Sequence, residues 1–244
     1  MDELARFGVG RRWLQQDTGH ATGVVEVSLG ASGEPAYEIV SDVAWDYIEP
    51  PRLADENELR GAGFAALVCG TLAQRSGKSR EALFRLRHLL RETPVFYDIN
   101  LRMPHTPVER VFATLPGVAW VKVNEAEADV LSRPLAGHPL QPAELFEQLS
   151  LNFGVTGLLL TRGEHGSVAV TAKECIECPA PPVKVAATVG AGDALTAVFL
   201  AGWLQGRNLV QVLSRANRVA AWVASQTESV PDYPPDLSSE LGVR

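Results

Sequence analysis

From residue 64 to residue 163 the chain alternates short continuous apolar runs with longer segments of helical periodicity, and that alternation restricts it to few folds. "FAALVCG" (64–70) is bounded by glycines and leads into "SREALFRLRHLLRET", where Leu83, Leu86 and Leu90 recur at helical spacing behind a capping Ser79. "PVFYDIN" (94–100) leads into "TPVERVFATL" (106–115), with Pro107 in its first turn, and "VAWVKVN" (118–124) into "EAEADVLS". "PAELFEQLSLNF" is a further helix and "VTGLLLTRG" (155–163) a further strand. Strands that alternate with helices predict an α/β fold with a largely parallel sheet covered by helices.

Flanking segments read differently. "VVEVSL" (24–29) places Val25, Val27 and Leu29 on one face, "GASGE" turns, and "PAYEIV" returns Tyr37 and Ile39 in alternation, which predicts a small hairpin over about 21–42. "GSVAVTAKECIEC" predicts antiparallel strands, and two helices, about 191–205 and 208–225, close the fold. The tail from about 229 to 244, rich in Pro, Ser and charge, is expected to be loose. With 244 residues, 46% hydrophobic, the whole reads as a single α/β domain with its own core.

Composition excludes some functions. A net charge of -7 argues against a nucleic-acid binder, which needs clustered Lys and Arg, but leaves room for a locally positive pocket. No signal-peptide pattern opens the chain and no apolar run approaches the roughly 18 residues of a membrane span, so neither nucleic acid nor membrane is an expected partner and the cytoplasm is the expected location. Cys69, Cys175 and Cys178 make no disulfide framework, and Cys175 and Cys178, with no second pair, read as two thiols of a strand. "GAGFAA" (61–66) precedes its strand where a dinucleotide fingerprint would follow one; no P-loop or GxSxG setting exists, and the histidines show no metal spacing.

In a parallel sheet ligands bind beyond the carboxyl ends of the strands. There the sequence puts Asp98, Asn100 and Arg102, then Asn124, Glu125 and Glu127, then Thr161, Arg162 and Gly163, and finally "GAGD", Gly190 to Asp193. The amides of Gly190, Ala191 and Gly192 open a helix, where the dipole favours an anion and glycine lets a phosphate approach the main chain. Asp193 would repel a bare phosphate, so it suits a general base that faces a nucleophile; as a helix-start carboxylate it would also complement the dipole. Asn124 and Glu127 can hold a hydrated Mg²⁺, or can cap the helix that they begin. Arg102 and Arg162 can neutralise charge on a transferring group.

"TVGAGDALTAVFLAGWL" resembles the second signature of the ribokinase-type (PfkB) carbohydrate kinases, and "NEAE" at 124–127 resembles their Asn-x-x-Glu motif. "ATGVVEVSL", "VAWDYI", "VCGTLAQRS", "FYDINLR", "VKVNEAEADVL" and "TRGEHGS" follow in the order of the bacterial fructokinase branch. The resemblance implies a ribokinase-like fold with a β lid over the sugar, a surface also used for homodimerisation. It implies ATP-dependent transfer to a sugar hydroxyl, fructose foremost, with Asp193 the base and Gly190, Ala191 and Gly192 the anion hole. Asn124 and Glu127 would then stand near the water shell of Mg²⁺, Thr161 and Gly163 along the nucleotide phosphates, and Asn217 near the adenine. Asp98, Asn100 and Arg102 are expected on the substrate side.

Three departures bear on these expectations. The strand, lid strand and Gly-Gly motif that grip the sugar in the family belong before "LARFGV", which resembles the end of the following helix. Ala187 stands where the family has an acid that helps to bind a monovalent cation, and "TES" (227–229) stands where it has Gly-Ala. Two alternatives therefore stay open: a non-catalytic nucleotide-binding or oligomerisation relative, and a kinase for another ketose, a sugar acid or a nucleoside.

Overall fold

The computed structural model describes residues 2–29, 35–235 and 237. The chain forms two compact units, residues 1–62 with 73–90 and residues 63–72 with 91–244.

The first unit carries α1 (Asp2–Arg6), β1 (Val25–Leu29), β2 (Pro35–Ile39), α2 (Leu53–Gly61) and α3 (Gly77–Leu89). The two strands pair antiparallel with Val25 opposite Ile39 and Val27 opposite Tyr37, as their alternation requires; the turn at 30–34 lies outside the described residues. Behind them Arg75 grips Asp46 through Nε (2.7 Å to Oδ1) and Nη2 (2.6 Å to Oδ2), and Nη2 also donates to the Val40 carbonyl at 2.7 Å. Burial pushes the Asp46 carboxyl up, but the bonds from Arg75 and from the Val43 N–H outweigh it and hold the group below its ordinary value. The same guanidinium lies over the Trp45 ring, 4.3 Å from its centroid. α2 has no counterpart among the helices expected from periodicity, because its segment "LADENELRG" carries four charged side chains in nine residues and buries Leu59 alone.

The second unit is built on a six-stranded sheet in the order β3 (Leu67–Gly70), β4 (Val95–Asp98), β5 (Trp120–Asn124), β6 (Gly157–Thr161), β7 (Ser167–Thr171) and β8 (Cys175–Cys178). β3 to β6 run parallel, and β7 and β8 continue antiparallel. Alternate residues serve opposite faces. Tyr97, Val121, Val123, Leu158 and Leu160 meet α4 (Val108–Thr114), α5 (Glu125–Ala136) and α6 (Pro142–Phe153) through Val111, Leu131, Leu145 and Leu149. Phe96, Trp120 and Leu159 meet α7 (Ala191–Leu204) and α8 (Leu209–Ala224) through Leu195, Phe199, Leu213 and Ala216. No helix among the described residues is long and apolar enough to cross a membrane.

Phe199 fixes α7 on this face: it is fully buried and meets the Trp120 ring edge-on, with centroids 4.7 Å apart. Trp120 lies across Gly157, where a Cβ would stand 2.5 Å from indole carbons. Replacing Phe199 with Ala leaves a cavity in this layer and should destabilise the fold by about 3–5 kcal/mol, read from chemical denaturation; a loss under about 1 kcal/mol would show that α7 is held elsewhere.

Candidate functional site

α7 begins in a turn that glycine makes possible. Gly190, its N-cap, has φ +87°, and a Cβ there would stand 2.3 Å from the Ser229 carbonyl oxygen. The "TES" loop thus packs directly on the "GAGD" turn, and any side chain at 190 would push the two apart. Just upstream, the Ala186 and Ala187 N–H groups both donate to the Ala224 carbonyl at the end of α8, at 2.8 and 3.2 Å.

The amides of this turn are not equivalent. The Ala191 N–H donates to the Thr188 carbonyl at 3.3 Å, whereas those of Gly190, Gly192 and Asp193 have no acceptor among the described residues. The Asp193 side chain is exposed and likewise has no hydrogen-bond partner among the described residues. A carboxylate with unspent acceptor capacity therefore stands beside backbone donors that are also unspent.

Beneath the turn lies a charged group that a strand-end reading overlooks. Asp98 and Lys122 are register partners on β4 and β5, and both belong to the α7 face of the sheet. Lys122 is 8% exposed, and its Nζ donates to Asp98 Oδ2 at 2.7 Å. The Thr196 hydroxyl reaches the Gly192 carbonyl at 3.0 Å and Asp98 Oδ2 at 3.4 Å, while Asp98 Oδ1 is buried with no partner. Asp98, expected on the substrate side, is thus already half of an internal ion pair. The signal for Lys122 was its charge inside the buried strand "WVKVN", in step with Trp120.

Asn124 and Glu127 form a capping box at the start of α5. Asn124 Oδ1 accepts the Glu127 N–H, and Glu127 Oε2 the Asn124 N–H, both at 2.9 Å. Glu127 is 5% exposed, and its Oε1 accepts the Leu101 N–H at 2.7 Å, which ties α5 to the loop after β4. That loop carries Asn100, in a left-handed conformation at φ 43°, and Arg102; both are exposed, and Arg102 Nη1 returns to the Leu101 carbonyl. Each Glu127 oxygen retains a lone pair, and no cluster of three His, Cys, Asp or Glu capable of holding a metal exists among the described residues. One carboxylate and one amide suit a cation that keeps most of its water.

Thr161 ends β6 opposite Asn124 in register, and Gly163 follows at φ +53°. Arg162 and Asn217 are committed elsewhere. The Arg162 guanidinium pairs with Glu177 of β8, so its charge is balanced across β7, where sequence suggested a transferring group. Asn217 is 2% exposed: its Oδ1 accepts the Ser167 hydroxyl and its Nδ2 donates to the Cys178 carbonyl, both at 2.8 Å, so it braces α8 against β7 and β8. Cys175 and Cys178 stand three positions apart on β8, on opposite faces of the sheet.

Comparison with known proteins gives this arrangement a family. The pfkB family carbohydrate kinase profile matches residues 1–235. The aminoimidazole riboside kinase of Salmonella typhimurium is 28% identical over 229 residues, 88% of this chain and 66% of that protein, so the chain spans just under two thirds of that relative. Among solved structures, a fructokinase with bound ATP from Xylella fastidiosa superposes with a TM-score of 0.78 at 20% identity, covering 92% of this chain and 74% of that one. A putative ribokinase II in complex with ATP and Mg²⁺ from E. coli gives 0.77 at 19%, covering 93% and 72%. These two likenesses speak for the ribokinase-like fold, and the family profile, which covers nearly the whole sequence, establishes that the chain belongs to the pfkB family of carbohydrate kinases.

Proposed function

We propose that the chain transfers the γ-phosphoryl group of Mg-ATP to a hydroxyl of a small sugar, with fructose as first acceptor. The observation that carries this reading is the exposed, unpartnered Asp193 carboxylate in the same turn as the unbonded amides of Gly190, Gly192 and Asp193. As the sugar oxygen bonds to the γ-phosphorus and the bond to the ADP oxygen breaks, the hydroxyl proton passes to Asp193. The amides receive charge that grows on the transferring group; Ala191, already committed to Thr188, contributes less than its neighbours.

The remaining roles follow from placement. Asn124 and Glu127 would hold a hydrated Mg²⁺, which would supply neutralisation of phosphate charge. Thr161 and Gly163 flank the nucleotide phosphates, Asn217 holds the wall beside the adenine, and Asn100 and Arg102 face the substrate from the loop that Glu127 pins. Fructose is favoured by the order of segments, which resembles that of bacterial fructokinases; the riboside kinase relative keeps a nucleoside acceptor as the alternative. One observation favours a second reading, nucleotide binding without turnover: Ala187 offers no carboxylate for a monovalent cation beside the turn.

The hairpin of β1 and β2 is proposed as a homodimer contact. Two strands alone are marginally stable, and Val24 and Val25 are 53% and 54% exposed. Light scattering should give twice the monomer mass, dropping to the monomer when Val25 becomes Lys; a monomeric parent chain removes the contact.

ADP release from Mg-ATP with fructose and a panel of other sugars tests the main reading. Asp193→Asn should lower turnover by about 10²–10⁴-fold and leave the Kd for a nonhydrolysable ATP analogue nearly unchanged. Equal losses in rate and affinity would count against the base, and binding without turnover in the parent chain would favour the second reading. Glu127→Gln should move the Mg²⁺ titration to higher concentration; an unshifted curve would leave Glu127 a capping residue and no more.

A further inference from the structure

Resting on that reading, we infer that Lys122 is a positioning residue for phosphoryl transfer: its buried ammonium supplies a fixed positive charge under the turn that receives the anion, and Asp98 is the counter-ion that keeps it there. Three observations carry this. Lys122 is 8% exposed in a strand whose other residues before Asn124 are apolar, and a lone ammonium in such a place needs a compensating charge. Asp98 supplies it at 2.7 Å from the neighbouring strand. Gly192 stands directly over the ammonium, for a Cβ at that position would lie 3.7 Å from Lys122 Nζ, an ordinary contact distance.

The connection runs through α7 itself. Thr196, one turn into the helix, binds the Gly192 carbonyl and Asp98 Oδ2, so the ion pair and the first turn of α7 share one network. Lys122 has three donor hydrogens, and its bond to Asp98 is its sole ion pair or hydrogen bond among the described residues. The pair also assigns Asp98 away from the sugar: it serves the ammonium, and its unpartnered Oδ1 lies buried beside the same network.

The pair separates from a purely architectural role because its charges can be removed singly or together. Lys122→Met keeps the length of the side chain and leaves Asp98 uncompensated; Lys122→Met with Asp98→Asn removes both charges and keeps the layer neutral. The probes are inorganic tripolyphosphate and a nonhydrolysable ATP analogue with Mg²⁺, titrated by calorimetry, followed by sugar-dependent ADP release. Lys122→Met should weaken tripolyphosphate binding at least tenfold. The double variant should recover the thermal stability of the parent chain yet stay at least tenfold down in tripolyphosphate affinity and in kcat, with KM for the sugar unchanged. Lys122→Arg should restore most of both.

Recovery of parental affinity by the double variant would overturn the proposal and reduce the pair to packing. So would failure of the parent chain to bind tripolyphosphate and the analogue alike. If the parent chain binds both anions but turns over no sugar, the kinase reading fails while the charge assignment is still decided by the affinities. Should Lys122→Met not fold, the affinities of the double variant decide between the two roles on their own.

Discussion

Parallel pairing of β3 to β6 is the constraint on which the rest depends. It aligns the carboxyl ends of successive strands, so that Gly70 stands opposite Asp98, Asp98 opposite Lys122, and Asn124 opposite Thr161. It also commits both faces of the inner strands β4 to β6 to burial, because the connections must return over the sheet. Polar chemistry is thereby confined to one edge, and any charge placed deeper, as at Lys122, has to be met from an adjacent strand in register.

α7 sits across two demands. From Leu195 onward it is an apolar helix anchored by Phe199 on Trp120. Before Leu195 it has small residues and one acid, and the amides of Gly192 and Asp193 are unbonded among the described residues. Shape solves this without conflict: glycine at 190 admits the close approach of Ser229, and Gly192 lies within ordinary contact distance above Lys122 Nζ. The carboxylate at 193 can then face outward while the carbonyl of the preceding residue faces inward to Thr196.

Much of this was legible in the sequence, for identifiable reasons. Strands and helices of the second unit follow the switch from short continuous apolar runs to helical periodicity, and α7 and α8 begin and end within a residue of their expected limits. The capping box was one of two readings of Asn124 and Glu127, and the geometry realises it without consuming the carboxylate. What could not be read was pairing across the sheet. Nothing local distinguishes a solvated Asp98 from one that neutralises Lys122, or an Asn217 that meets a ligand from one that braces two strands, since each partner lies tens of residues away. Arg162 failed for the same reason: a strand-end arginine is free until its neighbour two strands away is known.

The shared acceptor at Ala224 has a wider meaning. α7 and α8 are neighbouring antiparallel helices, so the negative end of α8 is brought beside the positive end of α7, where it would subtract from the field an anion feels. Two N–H groups, from Ala186 and Ala187, converge on the last helical carbonyl of α8 and spend its lone pairs. The segment leading into α7 thus mutes the opposing dipole before the chain turns. The electrostatics of the turn are therefore set by the approach to the helix as much as by the helix, and a substitution that unseats residues 186 and 187 would weaken the turn without touching any residue in it.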